Sequence, residues 1–339
     1  MTRRTLAVLA AIGAALVLTT GAGAKASAGS LTGAGSSFVA PLVSDWIPKV
    51  DAAYGIKVTY GPIGSGGGIN AITNRTVDFG ASDAPLTPNE ASACKNCVQV
   101  PWALGATLLA YNVKGAPAKL KLSGPVLADI YLGKITHWND PAIERLNPGS
   151  KLPGTAITAV YHSDGSGDTY GLTDYLSKIS PDWKSKYGAS TQINFPTGTG
   201  GKGNEGVAAA LGRTDGAIGY LGISYVFSNH LDYALVQNAA DKFPTPGVPS
   251  ILAAAETVSS LGPDNTVSIT NPPASAPDAY PISTFTYAIV PKGSSKASLL
   301  KPFLTYAVTA GQQFAPPLQF AKLPARVVTA DKQAIAGIG

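Results

Sequence analysis

Three glycine-rich turns, each placed ahead of a helix pattern, constrain the fold of this chain more than any other feature. The clearest is residues 163–170, SDGSGDTY, which follow the apolar strand pattern of residues 157–161. A helix that starts directly after a strand leaves free backbone N–H groups at its first turn, where the macrodipole is positive. Such a turn is typical of an anion-binding site, and we expect the three turns to meet at one ligand.

The first of these turns in chain order, residues 31–38, carries Ser36 and Ser37. Apolar residues recur behind it at helical spacing as far as Tyr54, which predicts a helix. Pro48 lies within the apolar face, so we expect the helix to kink or to end there. The two serines offer hydroxyl and N–H donors at the helix start, although serine is also a common N-cap without any ligand.

The second turn, residues 61–68, includes Ser65 and follows the alternating strand pattern of residues 56–60. Its glycines match neither the P-loop nor the complete dinucleotide-binding pattern. Asp83 follows another alternating strand, residues 77–81, where ligand contacts are usual in open α/β sheets. A turn or helix cap is the alternative role for this aspartate.

Strand and helix patterns continue to alternate along most of the chain. Further strands are predicted at residues 106–113, 217–221 and 285–290, and further helices at residues 126–132, after 205, and at 297–308. Residues 239–279 are rich in Pro, Ala and Ser and predict extended loop with short helices. The alternation predicts an α/β fold with mainly parallel sheets.

The first 28 residues are interpreted as a secretory signal peptide and are set apart from the fold. Arg3 and Arg4 precede an apolar run, and an A-x-A cleavage site ends at Ala28. A membrane anchor is less favoured because the apolar run is short. We therefore expect an exported protein, periplasmic or secreted and associated with the cell wall. It has no cysteine near the cleavage point for a lipid anchor.

Charge and cysteine content narrow the function classes. Three of the 25 basic residues lie in the leader, which leaves 22 against 20 acidic residues, a net charge of +2. No basic run with interleaved aromatic residues is present, so nucleic-acid binding is not expected. Cys94 and Cys97 form a C-x-x-C pair. In an exported protein this spacing favours a local disulfide over redox catalysis, and without a second pair zinc is not expected.

An enzyme is a weaker interpretation than a binding protein. The chain lacks the G-x-S-x-G and H-E-x-x-H motifs, and three histidines are few for a catalytic metal site. Ser166 and His162 are a conceivable nucleophile and base, but no third residue is patterned to orient the histidine. His137 is interpreted as structural. We expect no catalytic residue, no metal and no cofactor.

Hydroxyl donors in the glycine turns, together with a nearby carboxylate, favour a protonated anion as ligand. Ser37, Ser65 and Ser166 supply the donors. Phosphate keeps at least one proton at neutral pH and donates it to a carboxylate such as Asp83. Fully ionised sulfate has no proton to donate and would leave a buried charge unpaired. Asp83 would thus accept phosphate and repel sulfate.

The same segments resemble a known family. Residues 32–38, 64–68, 77–86 and 163–169, together with 127–146, 200–206 and 216–220, are similar in order and sequence to the phosphate-binding protein of the bacterial phosphate ABC importer, the PstS type. This resemblance implies a two-lobed periplasmic-binding-protein fold of type II, with two α/β domains joined by two crossover strands. It places lobe 1 at residues 29–109 and 284–339 and lobe 2 at 110–283, with the ligand between them.

The resemblance also implies the ligand, the partners and the site. The ligand is inorganic phosphate and the partner is the permease of an ABC importer, with the binding protein a monomer. The implied phosphate-binding residues are Ser36, Ser37, Phe38, Ser65, Asp83, His162, Ser166, Gly167 and Asp168. Asp164 is expected behind them, orienting a neighbour. Asp168 is either a second acceptor for a ligand proton or the cap of the following helix.

One position departs from the family pattern. The family usually has an arginine two residues before the aspartate of D-G-S-G, where this chain has His162. Residues i and i+2 of a strand share a face, so His162 could still pair with Asp164. Because histidine loses its charge near neutral pH, we expect weaker or more pH-dependent phosphate binding. Arg75 or Lys202 is an alternative source of the cation, although Lys202 is more simply a solvated loop residue.

The sequence leaves two alternatives to a phosphate-binding protein of an importer. One is a receptor for another tetrahedral oxyanion, or a secreted phosphate scavenger without a permease. The other is a secreted hydrolase of phosphate esters.

Overall fold

The α/β class is confirmed by the computed structural model, which describes residues 28–262 and 264–339. The expected signal peptide, residues 1–28, lies outside the described residues except for Ala28. None of the helices in the described ranges is long and apolar enough to cross a bilayer.

Eleven strands occur in the described chain. They are β1 (Gly29–Gly35), β2 (Ile56–Gly61), β3 (Phe79–Ser82), β4 (Cys97–Asn112), β5 (Lys121–Leu122), β6 (Thr158–His162), β7 (Thr199–Gly201), β8 (Ala217–Gly222), β9 (Asp232–Tyr233), β10 (Leu235–Val236) and β11 (Ser283–Pro291).

Twelve α-helices lie between and after these strands in the same ranges. They are α1 (Ala40–Tyr54), α2 (Ser65–Thr73), α3 (Pro88–Cys94), α4 (Gly124–Tyr131), α5 (Pro141–Leu146), α6 (Gly167–Ile179), α7 (Pro181–Lys186), α8 (Gly203–Arg213), α9 (Ile223–Ser228), α10 (Val248–Glu256), α11 (Ala297–Val308) and α12 (Ala325–Ala336). Two short 3₁₀ helices, Ala310–Phe314 and Pro316–Leu318, precede α12.

The main sheet has the strand order β2-β1-β3-β11-β4-β8-β6-β7, with β9 on β4. We call β2, β1, β3 and β11 the first half-sheet and β8, β6 and β7 the second. Strand β1 is parallel to β2 and β3, and β6 is parallel to β7 and β8. Strand β4 joins the two halves, because it is antiparallel to β11 of the first half and to β8 of the second. The expected parallel sheets are therefore present as two halves, and the fold has two lobes.

Strand β4 belongs to both halves and is longer than the predicted strand at residues 106–113. Ala106 is its last residue paired with β11, and Thr107 is its first residue paired with β8. Pro101 and Gln99 interrupt the apolar pattern in the part that the prediction missed. A register shift at Pro101 marks a bulge, the kind of site where a strand tolerates proline.

Helix α1 continues through Pro48 to Tyr54, so the predicted early end of this helix was wrong. Trp46 and Val50, on either side of the proline, are fully buried. Their burial stabilises a helix that has lost one backbone hydrogen bond at the proline.

Strand β1 was missed, and helix α2 was predicted but starts earlier than expected. Strand β1 is rich in glycine and serine, which carry little strand propensity, and it exists because it pairs with both β2 and β3. Helix α2 starts at Ser65 rather than after the glycine run, so three glycines lie in its first turn.

Each half-sheet is covered by its own aromatic cluster. Trp102 contacts Trp46, Phe79 and Phe303 behind the first half, with ring centroids 5.6–6.1 Å apart. Tyr220 contacts Tyr131 and Phe195 behind the second half. The two covered halves leave the carboxyl ends of β1, β2 and β3 facing that of β6; the glycine turns follow β1, β2 and β6, and Asp83 follows β3.

Candidate phosphate site

Five turns meet between the two half-sheets. Those after β1 and β3 and at the start of α2 come from the first half, and those at the starts of α6 and α8 come from the second. The turns and the adjoining strand end carry buried polar side chains. They are Ser36, Ser37, Ser65, Asp83, His162, Ser166, Asp168 and Asn204. The sequence-predicted residues are therefore brought together, because parallel strands end at the same edge of a sheet.

Asp83 lies at the centre of the first half's contribution and is 2% exposed. The Ser36 hydroxyl lies 2.6 and 2.7 Å from its two carboxylate oxygens, and the Ser65 hydroxyl donates to Oδ2 at 3.3 Å. Burial, together with the charge of Asp168, raises the pKa of Asp83 to about 7, although the serine hydroxyls oppose the shift. A carboxylate with a raised pKa is a stronger base than an exposed aspartate, and so a better acceptor for a ligand proton.

Hydrogen bonds across the two halves hold the turns against each other. The Gly66 N–H donates to the Gly165 carbonyl at 2.9 Å, and the Gly167 N–H donates to Ser65 Oγ at 3.1 Å. Asn204 donates its side-chain amide to Ser37 Oγ at 2.9 Å. Because each bond joins residues of different half-sheets, it exists only when the two halves are close.

Asp168 is fully buried on the second half, at the second position of α6. It accepts hydrogen bonds from Thr107 Oγ1 at 2.6 Å and from Asn204 Nδ2 at 2.9 Å. Burial raises the pKa of Asp168, while His162 and these hydrogen bonds oppose the rise. The N-cap of α6 is Ser166, whose Oγ accepts from the Asp168 N–H at 3.1 Å. The alternative role of Asp168 as the helix cap was therefore wrong.

Thr107 and Asn204 are site residues that the sequence reasoning missed. Asn204 lies in the glycine-rich segment of residues 200–206 that resembles the family, and that segment was the available signal. Its Oδ1 also accepts from the Gly222 N–H at 2.7 Å, so it ties α8 to β8. Thr107 lies inside a continuous apolar strand, where nothing in the sequence distinguishes it.

His162 ends β6 with a fully buried side chain. Its Nδ1 is 3.8 Å from Asp164 Oδ1, and its Nε2 is 3.8 Å from Asp168 Oδ2. Neither ring nitrogen has a hydrogen-bond partner among the described residues. The ring also lies 5.4 Å from that of Tyr220, centroid to centroid.

Asp164 lies behind His162 and contacts the start of α8. Its Oδ1 accepts from the Gly203 N–H at 2.7 Å. Burial would raise the pKa of Asp164, but His162 and this backbone N–H outweigh it and lower the pKa. An ionised Asp164 therefore suits the positive end of α8.

Phe38 fills the junction between the halves with its ring. The ring lies edge-on to Phe320, with centroids 5.4 Å apart. A Cβ on Gly105 of β4 or Gly222 of β8 would meet the Phe38 ring at 2.6 or 2.8 Å. These two glycines leave the space that the ring occupies.

The alternative cations and the remaining motifs do not pair with the carboxyl groups of the site in the described structure. Arg75 donates to the Cys94 carbonyl at 2.6 Å, beside the Cys94–Cys97 disulfide, which confirms the predicted disulfide. Lys202 is exposed at the start of α8. His137 forms an isolated β-bridge with Ala156. No group of three or more metal-ligating side chains occurs in the part of the chain that the structure describes.

Comparison with known proteins agrees with this geometry. The sequence profile of the PBP superfamily domain matches residues 20–310. The phosphate-binding protein PstS of Xylella fastidiosa (strain Temecula1) is 42% identical over 303 residues, which cover 88% of this chain and 82% of the relative. The chain belongs to the PstS family. PstS of Pasteurella multocida is 40% identical over 337 residues, covering 97% of this chain and 94% of the relative.

Solved structures share the fold at lower sequence identity. A high affinity periplasmic phosphate-binding protein, PfluDING, bound with phosphate, has a TM-score of 0.73 at 20% identity, covering 91% of this chain and 99% of that one. The phosphate-binding protein from Stenotrophomonas maltophilia has a TM-score of 0.71 at 21% identity, with 91% and 94% covered. These likenesses support the two-lobed architecture of this PstS family member.

Proposed function

We propose that this protein binds inorganic phosphate between its two lobes and delivers it to the permease of an ABC-type importer, without catalysing a reaction. The observation that carries the proposal is Asp83, a buried carboxyl with a raised pKa, surrounded by hydroxyl donors at the meeting point of the glycine turns. Membership of a family whose curated relatives are named phosphate-binding proteins supports it.

The balance of donors and acceptors fits a protonated oxyanion. Serine hydroxyls and helix N-termini donate to the phosphate oxygens. Asp83 accepts the proton of hydrogen phosphate, and sulfate has none to give. A buried carboxylate facing sulfate would lose its hydration without gaining a hydrogen bond. The site thus selects phosphate over sulfate through the acceptor Asp83.

Nine residues are proposed to contact phosphate. They are Ser36, Ser37, Phe38 through its N–H, Ser65, Asp83, His162, Ser166, Gly167 and Asp168. Asp164 acts behind them by holding His162 and the start of α8. Thr107 and Asn204 fix the Asp168 carboxylate, since both donate to it.

The proposed lobes are residues 29–109 with 284–339, and residues 110–283. The change of partner strand within β4, between Ala106 and Thr107, supports the first boundary. The start of β11 at Ser283 supports the second. Opening and closing about these two crossings would admit and release the ligand.

The protein is proposed to act outside the cytoplasm as a monomer. The leader pattern at residues 1–28 supports export. The protein is proposed to be periplasmic, or secreted and associated with a cell wall. No cysteine lies near the cleavage point for lipid attachment.

Calorimetry of the mature chain, residues 29–339, with phosphate, sulfate and arsenate tests the proposal. We expect tight phosphate binding, with sulfate at least about 1,000-fold weaker, or more than about 4 kcal/mol. Sulfate binding as strong as phosphate binding would reject the role of Asp83. Release of phosphate from a generic phosphate ester, abolished in Ser166→Ala, would instead support a hydrolase.

A further inference from the structure

Among the described residues, His162 is the only basic side chain within ion-pair distance of a carboxyl group of the site. Within residues 28–262 and 264–339, no lysine or arginine forms an ion pair with Asp83, Asp164 or Asp168. A buried group of three carboxyls that also takes an anion needs positive charge, because like charges repel strongly at low dielectric.

Both ring nitrogens of His162 face a carboxylate. Each ring nitrogen lies 3.8 Å from a different carboxylate oxygen, one on Asp164 and one on Asp168. A neutral imidazole has one N–H and one lone pair, so either tautomer turns a lone pair toward a carboxylate. The imidazolium offers an N–H to both. A shift of roughly 1 Å would bring either contact into hydrogen-bonding distance.

Two further groups near the ring, Tyr220 and the start of α8, add no positively charged side chain in the described structure. Tyr220 of β8 shares a hydrogen bond with Thr169 at 2.8 Å, and burial raises the pKa of this tyrosine, so its hydroxyl stays neutral. On α8, the Gly203 N–H faces Asp164 rather than the ring. The charged groups that act on the ring are therefore mainly Asp164, Asp168 and the ligand.

We infer that His162 sets the charge of the phosphate site: its imidazole takes up a proton from solvent when doubly charged hydrogen phosphate enters, so that binding is coupled to proton uptake. The inference rests on the proposed function. Before binding, the ring exchanges its proton with solvent. Afterwards the added negative charge holds the proton on the ring, which bridges Asp164 and Asp168.

Because of this coupling, phosphate affinity should depend on pH through His162. Above neutral pH, where the ligand is already hydrogen phosphate, each binding event must draw a proton from an increasingly dilute supply. Affinity should then fall by up to about tenfold per pH unit, the limit for uptake of one proton.

Calorimetry at pH 8 in buffers of different ionisation enthalpy measures the protons taken up. We expect about one proton more per phosphate for the wild type than for His162→Arg, because arginine stays charged while Asp83, with its pKa of about 7, is the same in both. His137→Arg, on an exposed histidine, is the matched control and should behave as wild type. Equal proton uptake in His162→Arg and wild type would overturn the inference.

A second readout needs no variant. The ring Cε1–H resonance of His162 reports its charge state, and we expect an imidazolium shift in the phosphate complex at pH 8. A neutral-imidazole shift there would overturn the inference even if the variants misfold. Failure of the wild type to bind phosphate would reject the proposed function itself, whereas binding without proton uptake rejects the role of His162 alone.

Discussion

Asp83 and Asp331 are two buried carboxyl groups with different surroundings. Asp83 accepts from Ser36 and Ser65 and faces the meeting point of the turns. Asp331, on α12, accepts one bond from Asn265 at 3.2 Å, and its Oδ2 has no partner in the described structure. Surroundings therefore decide whether a buried aspartate serves a ligand or weakens the fold.

Replacing Asp83 with Asn tests selectivity. The amide no longer repels sulfate, and it accepts the ligand proton more weakly because it is uncharged. We expect phosphate affinity to fall by about 10- to 100-fold, or about 1.4–2.7 kcal/mol, and sulfate affinity to rise. Calorimetry with both anions measures this. Asp51→Asn, on a surface ion pair with Lys57, is the control. Continued exclusion of sulfate by Asp83→Asn would place selectivity elsewhere.

Replacing Asp331 with Asn tests stability. Burial raises the pKa of Asp331 to about 9, well above its value of roughly 4 in an unfolded chain. The folded state therefore binds the extra proton, and stability is lost as pH rises between these values, by at most about 1.4 kcal/mol per unit. The amide mimics the protonated carboxyl and does not titrate.

We expect Asp331→Asn to melt at a higher temperature than wild type, with the difference larger at pH 8.5 than at pH 5.5. Thermal unfolding at both values measures it, and the mature wild-type chain in the same buffers is the reference. Two curves that stay parallel with pH would show that this carboxyl is ionised in the folded protein.

The strand–turn–helix elements place backbone against backbone, and glycine makes this approach possible. A Cβ on Gly66 would meet the Gly165 Cα at 3.2 Å, and a Cβ on Gly165 would meet the Gly66 Cα at 3.1 Å. A Cβ on Gly64, whose φ is +86°, would meet Asp164 Oδ2 at 2.3 Å. The turns are thus shaped for contact across the halves.

Gly66→Ala should weaken phosphate binding without weakening the fold. The added methyl group crowds the other lobe only when the lobes close, and alanine favours helix α2 by up to about 1 kcal/mol. We expect at least a fivefold loss of phosphate affinity with an unchanged or higher melting temperature of the ligand-free protein.

Gly212→Ala is the matched control for this change. It lies in α8, and a Cβ there meets nothing within 4 Å. This variant should gain helix stability and keep full phosphate affinity. Equal affinities for the two variants would show that the Gly66–Gly165 contact does not limit closure.

At the scale of the whole molecule, the two lobes share strand β4 and meet through a few hydrogen bonds between turns. The bonds within each half-sheet are regular ladders that persist in any arrangement of the lobes. Those donated by Gly66 and Gly167 cross between the halves. Ligand binding should stabilise these crossing bonds selectively.

Amide hydrogen exchange followed by NMR tests this expectation. Saturating phosphate should slow exchange of the Gly66 and Gly167 amides by at least about tenfold, as expected for a closed state favoured by the ligand. The Gly203 amide, bonded to Asp164 within its own lobe, is the internal control and should change less. Equal slowing at all three amides would indicate general stabilisation rather than closure.

Most of the secondary structure could be predicted because it depends on neighbours in the chain. The period of apolar residues placed α11 at its observed bounds, Ala297–Val308. Strand β1 and the first part of β4 were missed because partner strands stabilise them against their own composition. The helices after Val308 were not anticipated.

The sequence by itself determined the α/β class, the glycine turns and the family, and it named the aspartates and serines of the site. Only the tertiary structure joined Asp168 to Thr107 and Asn204, which lie 61 and 36 residues away along the chain. It also decided that Arg75 contacts the disulfide loop and that His162 lies between two carboxylates. Charge and hydrogen bonding in a buried site depend on which distant residues exclude water from it, and local sequence carries no record of them.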